Sequence, residues 1–315
     1  MTHPEGRQGV AATQRLPGSR ARAVVQTMRP KFLLLTLVCV LLGAASASAV
    51  GAPMDAVRVA LALVGALCAH ISVNTLNEYF DFRSGLDLKT VRTAFSGGSG
   101  ALPRHPALSG AVLLLGLASL AVTVGIGTYF LWACGAPVLW TGVIGLALIL
   151  GYSGWINRSP LLCLVAPGLG FGLLMVTGTH AVLSGSHAPV AWLVALVPFF
   201  LVNNLLLLNQ YPDRDADASV GRRHVLIAYG VRSANFAYAL FVLAAYATVV
   251  LLVEEHWIAP LGLVAVLPSA LSVFAWTGAV KHGVGIGDHP RYLHANVAAA
   301  LLTPLLIAVA LYLPP

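Results

Sequence analysis

Charge is what this chain has least of. Asp, Glu, Lys and Arg make up only 9% of its 315 residues, against 58% apolar residues, and the mean hydropathy is +0.84. A water-soluble domain carries about a quarter charged residues, so the soluble classes are excluded and the chain belongs in a bilayer. Paired cysteines are also missing. Cys39, Cys68, Cys134 and Cys163 stand singly in apolar runs with no CxxC or metal-type spacing, and they read as small buried hydrophobes. No polar stretch is long enough for a second domain. The basic start lacks the short apolar core of a cleavable leader, so the first apolar run is expected to stay as a helix.

What is present is a series of long apolar runs. A helix needs about twenty apolar residues to cross the hydrocarbon. Nine windows qualify: 32–51, 56–80, 106–130, 137–156, 161–184, 188–211, 234–253, 257–280 and 291–313. The expected fold is therefore an all-α membrane protein, a nine-helix bundle with a central cavity. Residues 1–27 form a basic, disordered tail in this reading, and 28–315 form one transmembrane domain. With nine crossings, seventeen of the eighteen Lys and Arg residues fall on one side and only Arg58 on the other. The positive-inside rule then makes the N-terminus cytoplasmic. The net charge of +7 is thereby topological and gives no reason to expect a nucleic-acid partner.

Two stretches break the apolar pattern. "NEYFDFRSGLD" (Asn77 to Asp87) ends the second window, and "NQYPDRDADASVGRR" (Asn209 to Arg223) ends the sixth. Four crossings separate them, so both open on the cytoplasmic side. Together they hold six of the eleven acidic residues: Glu78, Asp81, Asp87, Asp213, Asp215 and Asp217. Each would cost roughly 2.5–3.5 kcal/mol near the middle of the membrane and less toward its edge. Residues four apart share a helix face, which pairs Asn77 with Asp81. Asn209, Asp213 and Asp217 align likewise if the helix continues, although Pro212 marks either a break or a fresh first turn.

Carboxylate and amide oxygens suit hard cations, and Mg2+ takes one or two carboxylates together with waters and phosphate oxygens. The expected metal donors are Asn77, Asp81, Asp87, Asn209, Asp213 and Asp217, with Asn77, Asp81, Asp213 and Asp217 central to catalysis. Arg29, Lys89, Arg92, Arg158, Arg222 and Arg223 supply the counter-charge for a diphosphate, and the apolar helices accommodate a hydrocarbon tail. The ligand that combines both is an isoprenyl diphosphate. Tyr79, Phe80, Tyr152 and Tyr211 are candidate faces for a carbocation, or else interface anchors. Asp215 points away from Asp213 on a helix and can equally be a solvated acid. Asn203 and Asn204 read first as interhelical hydrogen-bonding groups. His70, on the face of Asn74 and Asn77, reads as a packed polar group ahead of a catalytic base.

These motifs resemble those of the UbiA-type membrane prenyltransferases. "NEYFDFRSGLD" followed by "RTAFSGGSGAL" is most similar to the branch that prenylates 1,4-dihydroxy-2-naphthoate in menaquinone synthesis. "NQYPDRDADASVGRRHVLIAYG", "RPKF" and "GYSGWINRSP" resemble further stretches of the family. Two positions depart from its pattern: Gly85 stands where an Asp is common, and Glu78 replaces another. The resemblance implies Mg2+-assisted ionisation of the diphosphate in a dry cavity and attack by an aromatic acceptor, in the plasma or inner membrane. A terpene cyclase using no acceptor is the alternative within this fold, and a transporter is a more distant one. The Asp-Gly…Ala-Arg pattern of alcohol phosphotransferases is absent.

Overall fold

The computed structural model describes residues 17–93 and 95–313, and no strand occurs among the described residues. The helices, in chain order, are α1 (Pro17–Thr27), α2 (Pro30–Ala49), α3 (Ala56–Arg83), α4 (Ala101–Arg104), α5 (Ser109–Cys134), α6 (Ala136–Gly151) and α7 (Pro160–Gly168). Then come α8 (Val176–Ser184), α9 (Pro189–Asn209), α10 (Arg214–Ser219), α11 (Val225–Glu254), α12 (Ser269–His282) and α13 (Pro290–Ala310). Eight segments among the described residues are long and apolar enough to cross a membrane. The fourth expected window is the exception. Its helix α6 has 16 residues, about 24 Å at 1.5 Å per residue, against a hydrocarbon core of about 30 Å.

The expected disordered tail is corrected in part. Pro17–Thr27 is helical and packs against α3, α4 and α5, burying Ala23 and Thr27 while Arg20 and Arg22 stay exposed. Burial on one face supplies the stabilisation that a short isolated helix lacks. The remainder of that tail, residues 1–16, lies outside the described residues.

Helix α9 is the axis of the packed half. Val194, Val197, Leu201, Val202 and Leu205 meet residues of α2, α11 and α13 in one apolar core. Its two asparagines serve as interhelical fasteners. Asn203 Oδ1 accepts from Gly168 N at 2.6 Å, and Asn204 Nδ2 donates to the Tyr238 carbonyl at 2.9 Å. Helices α7 and α8 are joined through a π-helical segment, Leu169–Met175. Two features account for that irregularity. Pro167 removes one backbone donor, and Gly172 lets the segment lie against the backbone of Phe199, where a Cβ would come within 2.3 Å of the Phe199 N. This irregular stretch, with α2, α3, α5, α6, α8 and α9, encloses a cavity.

Candidate active site

The first acidic segment is carried by a helix longer than the membrane needs. Helix α3 has 28 residues, about 42 Å, against a hydrocarbon core of about 30 Å. Asp55 caps its start, accepting from Val57 N at 2.8 Å. At its end Asn77 Nδ2 donates to Asp81 Oδ2 at 2.8 Å, and Ser153 Oγ donates to Asn77 Oδ1 at 3.0 Å. Glu78 points elsewhere. Fully buried, it accepts from the Ser99 backbone N at 3.0 Å and from the Ser99 hydroxyl, with an Arg29 Nη 3.6 Å away. It thereby straps the 95–100 loop to α3.

Asp87 follows a left-handed Gly85 (φ 79°) in the short 3-10 turn Leu86–Leu88 and folds back beneath that loop. Gly98, at φ 71°, lets the loop pass over it, since a Cβ there would meet Asp87 Oδ1 at 2.9 Å. Burial, then the nearby Glu78 and Asp81 carboxylates, push the Asp87 carboxyl up to about 7.

The second segment is broken where Pro212 stands. Helix α9 ends at Asn209, the chain turns, and Asp213 opens the separate short helix α10. Asp213 Oδ2 accepts from the Gly97 backbone N at 2.9 Å, so the loop of the first segment holds an acid of the second. Burial, then the Asp217 charge, raise Asp213 to about 6. Asp217 Oδ1 accepts from Arg222 Nη1 at 2.9 Å, and its other oxygen lies 3.3 Å from His224 Nε2. Asp215 faces solvent beside Arg214, 3.6 Å away, which settles it as a solvated acid.

Arg222 joins the two segments. One guanidinium nitrogen bonds Asp81 and the other bonds Asp217. Burial opposes its charge, but the Asp81 and Asp217 carboxylates outweigh burial and raise its pKa. Arg29 reaches the same rim from the turn between α1 and α2. Its backbone is left-handed (φ 53°, ψ 61°), at a cost of about 1–2 kcal/mol for a non-glycine residue, and its buried Nε has no partner among the described residues.

These groups stand at one end of a cavity of about 520 Å³. Of the expected site residues, Asn77, Asp81, Asp87, Asn209, Asp213, Asp217, Arg29, Arg222 and Tyr152 line it. The others do not. Lys89 is exposed and reaches Ser219 Oγ at 3.3 Å, and Arg92 lies behind the loop, donating to the Asp87 carbonyl at 2.8 Å. Arg158 and Arg223 are exposed away from the lining. Tyr79 packs edge-on against Phe80, itself exposed to 48%. Tyr211 is fully buried in a second core, its hydroxyl donating to Asn235 Oδ1 at 2.7 Å. Lining residues not anticipated from the sequence include Asn157, Gly97, Gly98 and His224. His224 directly follows the Arg222–Arg223 pair, and Asn157 lies in "GYSGWINRSP".

Among the described residues, no three His, Cys, Asp or Glu side chains converge closely enough to hold an ion by themselves. Individual oxygens nevertheless stay unsatisfied: Asp87 Oδ2 and Asp213 Oδ1 are buried without a hydrogen-bond partner. An ionised carboxylate oxygen can only accept. Such a donor set fits a hard cation that completes its shell with water or phosphate oxygens.

The UbiA prenyltransferase family matches the chain over residues 33–284. The 1,4-dihydroxy-2-naphthoate octaprenyltransferase of Bacillus subtilis (strain 168) is 29% identical over 243 residues, covering 75% of each chain. Among solved structures, the apo UbiA homolog from Aeropyrum pernix K1 superposes with a TM-score of 0.67 at 18% identity, over 89% of this chain and 98% of that one. A UbiA homolog from Archaeoglobus fulgidus bound to DMAPP and Mg2+ gives 0.60 at 17% identity, over 92% of this chain and 99% of that one. At these identities the structural likenesses establish the fold.

Proposed function

We propose, since the chain belongs to the UbiA prenyltransferase family, that this multi-pass membrane enzyme moves the prenyl group of an isoprenyl diphosphate onto an aromatic quinone precursor of the 1,4-dihydroxy-2-naphthoate type. The observation that carries this reading is the meeting of two acidic segments, through Arg222 and through Gly97 with Asp213, over a cavity with apolar lower walls. The acceptor class rests on the 29% identity to the Bacillus subtilis enzyme.

Asp87 and Asp213, with Asp81, Asp217 and the amides of Asn77 and Asn209, are the groups that would hold Mg2+. When bound, Mg2+ supplies positive charge against which a diphosphate can depart. Arg222 and Arg29 hold the same diphosphate, and Arg222 reaches it by loosening one of its two carboxylate contacts. The walls below exclude water that would otherwise capture the allylic cation. Tyr152 and Phe171 line that cavity, and an aromatic face there would suit a transient cation. The acceptor ring attacks C1 of the prenyl chain, the C–O bond to diphosphate breaks, and the ring then loses a proton.

The topology we propose counts α6 as the ninth crossing, which puts the acidic rim and the N-terminus in the cytoplasm. Labelling of a single cysteine at Arg58 from the outside alone would support that arrangement; labelling from the inside alone would reverse it. For the reaction, purified protein with Mg2+, prenyl diphosphates of graded length and a panel of naphthoates, phenols and quinolones is read by mass spectrometry. A prenylated naphthoate supports the proposal. A cyclic hydrocarbon formed without acceptor would replace it with a cyclase, and absence of diphosphate release would end it.

A further inference from the structure

We infer that His70 is the residue that hydrogen-bonds the ring hydroxyl of the aromatic acceptor. The inference rests on the proposed transferase reading and adds where the second substrate binds. With the diphosphate at the acidic rim, the acceptor carbon has to meet C1 directly beneath it. The ring must then lie within a turn or two of Asn77 along α3. The polar residues on this part of the α3 cavity wall are Asn74 and His70, and below them the wall continues as Ala69, Ala66, Gly65 and Ala62. Asn74 turns its Nδ2 to the Met28 carbonyl, donating at 3.0 Å. His70 lies seven residues before Asn77, about 10.5 Å lower.

The imidazole is held in place for this task. Nδ1 is 2.8 Å from Thr36 Oγ1 on α2, and the ring meets Phe171 of the π segment in a T-shaped contact with centroids 4.6 Å apart. Both His70 and Phe171 belong to the cavity wall. With Nδ1 engaged, Nε2 has no partner among the described residues, and the Thr36 contact fixes its direction. A rigid polar atom beside an aromatic edge is suited to a flat, hydroxylated ring. The bundle contains its own contrast: His180 is pinned the same way, with Nδ1 2.9 Å from Ser46 Oγ, but is fully buried and outside the cavity lining. The same pairing lies away from the cavity at His180 and on its wall at His70.

The test compares His70→Phe with His180→Phe, using geranyl diphosphate and 1,4-dihydroxy-2-naphthoate as probes. The expected result for H70F is an acceptor KM raised about tenfold, with the KM for geranyl diphosphate within about twofold of wild type. H180F is expected to lower thermal stability and leave both KM values in place. Inhibition by 1-hydroxy-2-naphthoate and by 2-naphthoate, which differ by one hydroxyl, gives an independent readout. Wild type should prefer the hydroxylated ligand about tenfold, and H70F should lose that preference. If H70F does not fold, His70→Gln carries both readouts, with a partial loss expected. An unchanged acceptor KM, a parallel rise of both KM values, or an undiminished inhibitor preference overturns the inference while the transferase reading stands. Wild-type protein that forms no prenylated product overturns both.

Discussion

The two acidic segments read alike as sequence, each an Asn-x-Tyr-x-Asp run at the end of an apolar helix, and they are built differently. The first stays on one helix: Asn77 and Asp81 remain bonded four residues apart on α3, and the 3-10 turn that follows Gly85 returns Asp87. The second is cut by Pro212, leaving Asn209 at the end of α9 and Asp213 and Asp217 on a short separate helix. What positions that short helix comes largely from the first segment: Gly97 donates to Asp213, Lys89 reaches Ser219, and Asp81 shares Arg222. The same spacing thus yields a self-supporting half and a dependent half. Damage should travel from the first segment to the second more than the reverse.

The strongest way to break that asymmetry is at the shared contacts. Asp81→Asn should lower kcat/KM by about 10³-fold and Asp213→Asn by about 10²-fold, with both proteins keeping wild-type helicity by circular dichroism. Equal losses would remove the dependence argued here, and wild-type activity in either would remove the carboxylate from the site. Glu78→Gln comes next. Glu78 is not part of the cavity wall, but it holds the loop that bonds Asp213, so Mg2+ affinity measured by calorimetry should fall about tenfold.

A smaller effect is set by protons. Asp87 and Asp213 are held up at about 7 and about 6; below these values each carries a proton that a cation must displace. Mg2+ affinity should therefore rise from pH 5.5 to 7.5, by at most about tenfold per unit for each proton released. A flat profile would contradict the buried carboxylates. The smallest effect should come from residues that face water: Asp215→Ala and Arg158→Ala should each leave kcat/KM within about twofold of wild type.

Much of the frame was legible because the bilayer punishes exceptions. A run of apolar residues long enough to cross has few alternatives to helix, so the expected windows coincide with helices over most of their length. Pairing of Asn77 with Asp81 was readable from their spacing, since α3 runs through both, and Pro212 announced the interruption that parts Asn209 from Asp213. The tyrosines were not readable. Tyr152 and Tyr211 both lie near the polar end of a helix, but the turn at Pro212 sends Tyr211 toward Asn235, 24 residues away, and off the cavity. The basic residues were opaque for a similar reason. A long Lys or Arg chain can reach in several directions, and only the surrounding loops decide that Arg222 and Arg29 turn inward while Arg158 and Arg223 turn out. Helix α1 escaped notice because residues such as Ala23 and Thr27 become buried only once α3 to α5 stand beside it.

By itself the sequence determined that this chain lives in lipid as helices and carries two acid-rich helix ends, because hydrocarbon thickness and the cost of burying charge act on each segment independently. The tertiary structure decided which of those acids share an arginine, which oxygens are left without partners, and which histidines line the cavity. Those properties depend on how distant segments rotate and pack against each other, and no single stretch of residues fixes that.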